Sequence, residues 1–401
     1  MNLDDFLSSE AVEAIYRPVE EAEGLPGNVY TDPAFWTLER ERYFSRTWMA
    51  CAFLNDIPEP GDVFPVSIGG WDLLLTRDGA GEVHVFHNIC SHRGMKVVDQ
   101  PCNVGTRMHC PWHSWAYEMD GTLAATPNLD GIGAGDAPGF DKRRLALRRV
   151  PSATWLNFVF VNIDGKAPAL AEHLAPLVAR LKGFDLSLLE PGPKKTQFTF
   201  HGNWKLAYEG GVEDYHIPWI HPGLGPHSGS YKIEAGGGQT FVGISSRRLL
   251  NHPDDKRGEA FRGTGKQGDL PIFPHLAAHP VNDGLGFETL LLFVPPSAVV
   301  AVLANHLATR MFLPVAVDRT IHRIAPMFIG EGAYDPAFES NRNLVVEGWR
   351  KVAEEDAPLV RQLQLQHRLR AELDIPTRFS PYWEPSVLRF QQLVIERLRE
   401  P

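Results

Sequence analysis

Cys90-Ser91-His92 and Cys110-Pro111-Trp112-His113 decide how this 401-residue chain is read, because each stretch carries one thiolate and one imidazole. Seventeen residues separate His92 from Cys110. A [2Fe-2S] cluster of mixed ligation needs two cysteines on one iron and two histidines on the other, so two loops with one Cys and one His each supply the set. Neutral imidazoles in place of thiolates raise the potential and make such a cluster an electron relay of intermediate potential. Cys₂His₂ is also a zinc ligand set, but zinc fingers pair Cys with Cys and His with His, whereas each loop here is mixed.

The flanking sequence has the texture of small β structure. From Met49 to about Asn162, short apolar or alternating runs (Val63 to Ile68, Asp72 to Thr76, Val83 to His87, Trp155 to Val161) are punctuated by Pro-Gly, Gly-Gly and Asp-Gly. This predicts an antiparallel β domain over residues 47–162, with the two Cys/His stretches at loop tips. A helix is expected from Asp32 to about Phe44 within an N-terminal segment, 1–46, that packs on the larger domain. Residues 163–401 read as that domain. A helix around Leu170 to Leu181 and a linker at Pro191-Gly192-Pro193 open it, followed by strands near Phe198, Leu290 to Phe293 and Thr320 to Phe328. Helices are expected at Pro336 to Lys351, Glu354 to Leu369 and Pro385 to Leu398. Gly236 to Gly238 and Gly263 to Gly268 read as loops. The fold class is therefore α+β: a small antiparallel β domain beside a larger one with helices on an antiparallel sheet.

A net charge of −10 argues against nucleic acid or an anionic membrane surface as partner. The acidic start Met1-Asn2-Leu3-Asp4-Asp5 lacks the basic and apolar regions of a signal peptide, and no apolar run reaches the length of a membrane span, so a cytoplasmic protein is expected. Four cysteines do not make a disulfide framework, and a reducing compartment leaves Cys90 and Cys110 free for metal. Cys51 and Cys102 read as ordinary buried or partly buried thiols.

A second constellation follows Asn203-Trp204-Lys205: Glu213-Asp214-Tyr215-His216-Ile217-Pro218-Trp219-Ile220-His221. Pro218 prevents both histidines from lying on one regular helix. With His216 at a helix end and His221 on the next turn, the two can converge on one metal. A pair at this spacing is weak alone, but beside an electron relay it suggests Fe(II) held by two histidines and a carboxylate, with open positions for O₂.

With both motifs in view, the chain resembles the α subunit of a Rieske non-haem iron oxygenase, of the aromatic ring-hydroxylating family. The resemblance runs from the Trp48 region to Glu384 and Phe390. It implies a Rieske cluster on Cys90, His92, Cys110 and His113 and a mononuclear Fe(II) on His216, His221 and an Asp that opens a late helix. Glu354-Glu355-Asp356-Ala357-Pro358 matches that stretch, which selects Asp356, with Glu355 as the competing ligand. The family also places an acid three residues before the first iron histidine, bridging it to a cluster histidine of the neighbouring subunit. That position is Glu213. Asp214 competes, but Glu213 and His216 are three apart, as on one helix face. A glutamate there is similar to the branch acting on carnitine and glycine betaine.

The resemblance further implies a separate NAD(P)H- and flavin-dependent reductase, with or without a ferredoxin, and a homotrimeric ring without a β subunit. O₂ would serve to hydroxylate, dihydroxylate or demethylate a small organic substrate, an aromatic compound being favoured and a quaternary ammonium compound the alternative. Glu209-Gly210-Gly211 departs from the usual Glu-Asn or Asp-Asn, removing an amide near the iron, and Trp112 replaces a common Tyr. Trp219, Phe241, Phe287, Leu291, Phe293 and Phe312 are candidates for a pocket or for core. Two readings from other classes are a stand-alone electron-transfer protein and a zinc-stabilised binding module.

Overall fold

The computed structural model describes residues 2–224, 231–234, 240–247, 269–273 and 287–400, with side chains undescribed at 231–234, 242–247 and 287–288. The glycine loops at 236–238 and 263–268 and the side chain of Phe287 lie outside the described residues. Two compact units divide the chain, one formed by residues 46–167 and one by 1–45 with 168–401.

Residues 46–167 build three small antiparallel sheets. The first joins β1 (Met49–Phe53) to β10 (Phe158–Val161) and β9 (Ser152–Trp155). The second runs β4 (Val83–His87), β3 (Trp71–Arg77), β2 (Asp62–Ile68), β5 (Cys102–Asn103), and the third β6 (Arg107–His109), β7 (Ala116–Glu118), β8 (Leu123–Ala125). Leu74, Phe86, Met108, Trp115 and Tyr117 are buried in one cluster that also includes Cys90 and Cys110. Alternation explains it: Leu73 and Leu75 turn to one face of β3 while Leu74 turns to this cluster. Cys51 is buried, but Cys102, expected to be at least partly buried, is exposed on the short edge strand β5.

The other unit is a helix-flanked eight-stranded sheet, in the order β11 (Leu189–Pro191), β18 (Arg319–Ile329), β17 (Leu307–Ala316), β16 (Ala298–Val302), β15 (Phe287–Val294), β14 (Phe241–Arg247), β13 (Tyr231–Glu234), with β12 (Thr196–Phe200) also on β18. Every pairing is antiparallel. Pro191-Gly192-Pro193 is thus not a linker: Pro191 pairs with Met327, and the Gly192 N–H donates to the Pro326 carbonyl at 2.9 Å. β16 and β17 escape sequence reading because they are buried on both faces, leaving an apolar run without alternation.

Among the described residues the helices are α1 (Ser9–Ile15), α2 (Asn28–Thr31), α3 (Pro33–Glu39), α4 (Leu170–Arg180), α5 (Trp204–Glu209), α6 (Ile217–Ile220), α7 (Glu339–Leu373) and α8 (Pro385–Arg399). Asp32 caps α3 by accepting from the Ala34 N–H, with Pro33 in its first turn, and a π-helical turn, Arg40–Phe44, extends it. The two helices expected over 336–369 are one 35-residue helix, α7, that runs through Pro358. Asp356 therefore sits mid-helix. Proline costs the helix one hydrogen bond, but burial of Val345, Trp349, Val352, Val360 and Gln364 along one face holds the element together.

Lys205 of α5 and Glu39 of α3 form a fully buried ion pair at 2.6 Å, to which Trp204 Nε1 adds a hydrogen bond on the same Glu39 oxygen. Burial pushes the Glu39 carboxyl up and the Lys205 amine down, each against the pull of the partner. The N-terminal segment is thereby fixed to the helix that leads into the His216 region. No helix among the described residues is long and apolar enough to cross a membrane.

Candidate metal centres

The two Cys/His loops repeat one geometry. In the first, Cys90 N–H donates to the Met95 carbonyl and Gly94 N–H to the Cys90 carbonyl; in the second, Cys110 N–H donates to Trp115 and Ser114 N–H to Cys110. The residue four after each cysteine takes the left-handed conformation, Gly94 at φ 77° and Ser114 at φ 56°. Both cysteines are buried at 2% exposure, while His92 and His113 are exposed, their rings 4.6 Å apart. His92 stacks on Trp115 and His113 on Trp112, which lies under the Arg93 guanidinium.

An inner thiolate pair and an outer imidazole pair is the arrangement a two-iron cluster of mixed ligation needs. A single zinc ion would draw all four donors together. Among the described residues, the one group of three or more His, Cys, Asp or Glu donors close enough to surround one ion lies elsewhere, so the Cys/His set does not fit a one-ion site. Tyr117 Oη lies 3.2 Å from Cys90 Sγ and accepts the Ser91 N–H at 3.0 Å. Burial pushes the Cys110 thiol up, against the Trp112 and His113 N–H groups that pull it down.

The group that could surround one ion is His216, His221 and Asp356, whose donor atoms lie within 4.8 Å of one another. α5 ends at Gly210, and the chain runs irregularly to His216, which caps the short helix α6 with Pro218 in its first turn. His221 closes that helix, so the proline break turns both rings inward, 5.1 Å apart and at 78°. Asp356 Oδ1 lies 3.0 Å from His221 Nε2 and 3.8 Å from His216 Nε2. The other face of each ring is held by an acid: Glu213 Oε1 takes His216 Nδ1, and Glu355 Oε2 takes His221 Nδ1 at 2.8 Å. Both Nε2 atoms are thus aimed at the centre. That of His221 is buried with no hydrogen-bond partner, an orphan that a metal ion would satisfy. The His216 imidazole stands above its usual pKa: burial lowers it, but the Glu213 hydrogen bond and the charges of Glu213, Asp356 and Asp214 outweigh that.

Adjacent helix positions point about 100° apart, so Asp356 and Glu355 cannot both face the centre; the first turns inward and the second backs His221. Glu213, not Asp214, meets the His216 ring, though not on a shared helix face as the three-residue spacing suggested. Its second oxygen instead accepts the Tyr215 and His216 N–H groups in an irregular turn. Asp214 is buried beside it.

A cavity of about 210 Å³ adjoins these donors, lined by Phe200, Leu206, Phe312, Leu359, Val360 and Glu209 among others. A smaller one of about 50 Å³ is lined by His221, Thr289, Leu291, Ala301, Leu303 and Trp349. Gly210, Glu213, His216, Asp356 and Arg310 line both. Of the aromatic and leucine candidates, Leu291 and Phe312 line a cavity, Phe241 and Phe293 pack on each other in the core, and Trp219 is exposed. Arg310 and Glu209 were not singled out as cavity residues by sequence reasoning, since neither belongs to a ligand motif. Glu209 Oε1 accepts from Tyr30 Oη and Gln391 Nε2, and burial raises its carboxyl to about 7 against those bonds.

Comparison with known proteins agrees with this geometry. Residues 47–140 match the Rieske [2Fe-2S] domain, and residues 189–400 match the ring hydroxylating α subunit catalytic domain. Over 213 residues the chain is 32% identical to choline monooxygenase of Spinacia oleracea, covering 51% of this chain and 46% of that protein. Over 219 residues it is 30% identical to the anthranilate 1,2-dioxygenase large subunit of Acinetobacter baylyi, covering 51% and 44%. The matches thus span about half the length of these relatives. The solved quaternary ammonium Rieske monooxygenase superposes with a TM-score of 0.77 at 20% identity, covering 96% of this chain and 98% of that one, which is a likeness of fold. Since the catalytic-domain match alone takes in more than half of the chain, the protein belongs to the Rieske oxygenase family, as a ring-hydroxylating α subunit.

Proposed function

We propose that the protein is the oxygenase component of a Rieske non-haem iron system that uses reductant and O₂ to oxidise a small organic substrate. The observation that carries this reading is the inward-facing His216, His221 and Asp356 set beside a cavity, each imidazole backed by its own acid. Cys90, His92, Cys110 and His113 would hold the [2Fe-2S] cluster, and His216, His221 and Asp356 a mononuclear Fe(II). When bound, the cluster relays single electrons and the mononuclear iron activates O₂.

The chain's own groups do the positioning. Glu213 and Glu355 fix the tautomer and orientation of His216 and His221 by taking Nδ1–H, which leaves Nε2 as the donor. Phe200, Leu206, Phe312 and Val360 keep water from the substrate and orient it by shape. In a monohydroxylation, one C–H bond is replaced by C–O, the second oxygen atom leaves as water, and two electrons and two protons are consumed. Electrons would come from NAD(P)H through a flavin reductase, with or without a ferredoxin. Glu213 would bridge His216 to a cluster histidine of a neighbouring subunit in a cytoplasmic homotrimer.

An aromatic substrate is the favoured reading, supported by the apolar wall of the cavity. Oxidation of a quaternary ammonium compound is the second reading, supported by the glutamate at position 213 and by the similarity to choline monooxygenase. The test is purification with iron, metal analysis and EPR, then O₂-dependent product by mass with a surrogate reductase. About three iron atoms per chain, a reduced-cluster signal and a product one or two oxygens heavier, or demethylated, are expected. A protein with only two irons that reacts with no substrate would be an electron carrier, and colourless protein with zinc would overturn the reading altogether.

A further inference from the structure

Two of the residues that line the small cavity each hold a buried polar atom with no hydrogen-bond partner among the described residues. One atom is His221 Nε2, which a metal ion would satisfy. The other is the hydroxyl of Thr289, a residue 2% exposed that belongs to no ligand motif. Thr196 and Thr240 also carry buried hydroxyls without a partner, but neither lines a cavity beside the donors.

Strand pairing brings Thr289 to this place. Leu291 pairs with Ala301 across β15 and β16, so Thr289, two residues before Leu291, projects from the same face of the sheet as that pair. α7 contributes Trp349, Val352 and Asp356, spaced three and four apart on one helix face. Leu291, Ala301, Leu303 and Val352 make much of the lining apolar. Valine would suit such a wall in shape as well as threonine does, since both are β-branched. A buried hydroxyl without a partner is destabilising, so this oxygen does nothing for the chain until something enters the cavity. The charged groups of the lining are engaged elsewhere: Glu213 holds His216, Asp356 faces the donor centre, and Asp214 and Arg310 each have contacts of their own.

We propose that Thr289 is a positioning residue of the mononuclear centre, its hydroxyl donating a hydrogen bond to a diatomic ligand of the O₂ type held between it and the His216, His221 and Asp356 donors. The inference rests on the oxygenase reading and gives the two cavities different contents. A cavity admits water from roughly 10–15 Å³ upward. The small one, at about 50 Å³, therefore has room for a diatomic and not for an aromatic ring. The organic substrate belongs in the cavity of about 210 Å³, which Thr289 does not line. A hydroxyl has one hydrogen to donate and no fixed charge, so it orients a neutral diatomic without drawing anions into the site.

The experiment is anaerobic titration of the iron-loaded protein with nitric oxide, a diatomic probe whose adduct with ferrous iron is read by EPR. Thr289→Val should bind nitric oxide about three- to tenfold more weakly than the parent, the worth of one hydrogen bond. Its adduct should give an altered EPR signal at unchanged iron content, and Thr289→Ser should restore most of both. In chelator-treated protein that keeps its cluster, Thr289→Val should melt no lower than the parent, because the hydroxyl has no partner there to lose. Parent-like affinity and signal in Thr289→Val, or Thr289→Ser as weak as Thr289→Val, would overturn the proposal. So would a Thr289→Val protein that melts markedly lower or fails to fold, since the hydroxyl would then be structural. A parent protein with no mononuclear iron or no adduct would instead bring down the oxygenase reading, and this inference with it.

Discussion

At the residue scale, the two neighbours Glu355 and Asp356 carry different tasks. Asp356→Ala should abolish mononuclear iron binding and turnover while the cluster's EPR signal stays, because it removes a donor from the centre. Glu355→Gln leaves the donors in place and weakens only the hold on His221 Nδ1, so iron affinity should fall by roughly 10–100-fold, read by chelator competition. Equal losses in the two variants would mean that their roles are not separate. Glu209 yields a pH prediction. Its carboxyl is raised to about 7 by burial, so the folded protein takes up a proton that the unfolded chain binds only near 4.5. Stability from this group is full below about pH 4.5 and is lost as pH rises through 7. Glu209→Gln should therefore raise stability at pH 8 by about 2 kcal/mol, a figure below the full shift because the side chain is not completely enclosed. The gain should shrink toward pH 5.5 in paired thermal melts; an equal change at both pH values would show that Glu209 does not titrate there.

At the scale of elements, α5 is held by its ion pair to α3. Lys205→Met removes one partner of a fully buried pair and leaves Glu39 uncompensated, which should cost about 3–5 kcal/mol. Lys205→Met combined with Glu39→Gln should recover a substantial part of that loss, measured by denaturant unfolding of both single variants and the double variant. If the double variant is as unstable as the sum of the singles, the pair is not coupled. Proline acts in opposite ways in two helices. In α6, Pro218 occupies the first turn, where it fits, and the short helix turns His216 and His221 toward one point. In α7, Pro358 lies mid-helix, and the helix continues because its buried face spans the break.

At the scale of the whole molecule, cluster and iron motifs fall in separate units, 46–167 and the remainder. In the proposed ring, the electrons that reach one iron come from a neighbouring subunit's cluster, as a closed heterologous interface allows. Co-expression of a Cys110→Ser chain with an Asp356→Ala chain tests this: each is inactive alone, yet mixed rings should regain activity, since some neighbours pair an intact cluster with an intact iron site. No activity in mixed assemblies, verified by native mass, would mean that transfer stays within one chain.

The sequence by itself marked the candidate metal donors, because such residues are few, chemically distinctive and close in the chain: Cys90 with His92, Cys110 with His113, and His216 with His221 around Pro218. It also placed β12, β15 and β18 of the large sheet and the helix at Pro385–Arg399. It did not determine β16 and β17, since strands buried on both faces lose their alternation, nor the continuity of α7, since a local rule stops a helix at Pro358 and only burial along its length overrides it. Which of two adjacent acids faces the centre depends on the rotation of α7, and that rotation is set by the packing of its whole buried face, from Val345 to Gln364. Arg310 enters the cavity for the same reason: no local pattern marks it, and only the pairing of β17 with its neighbours brings it to the donors.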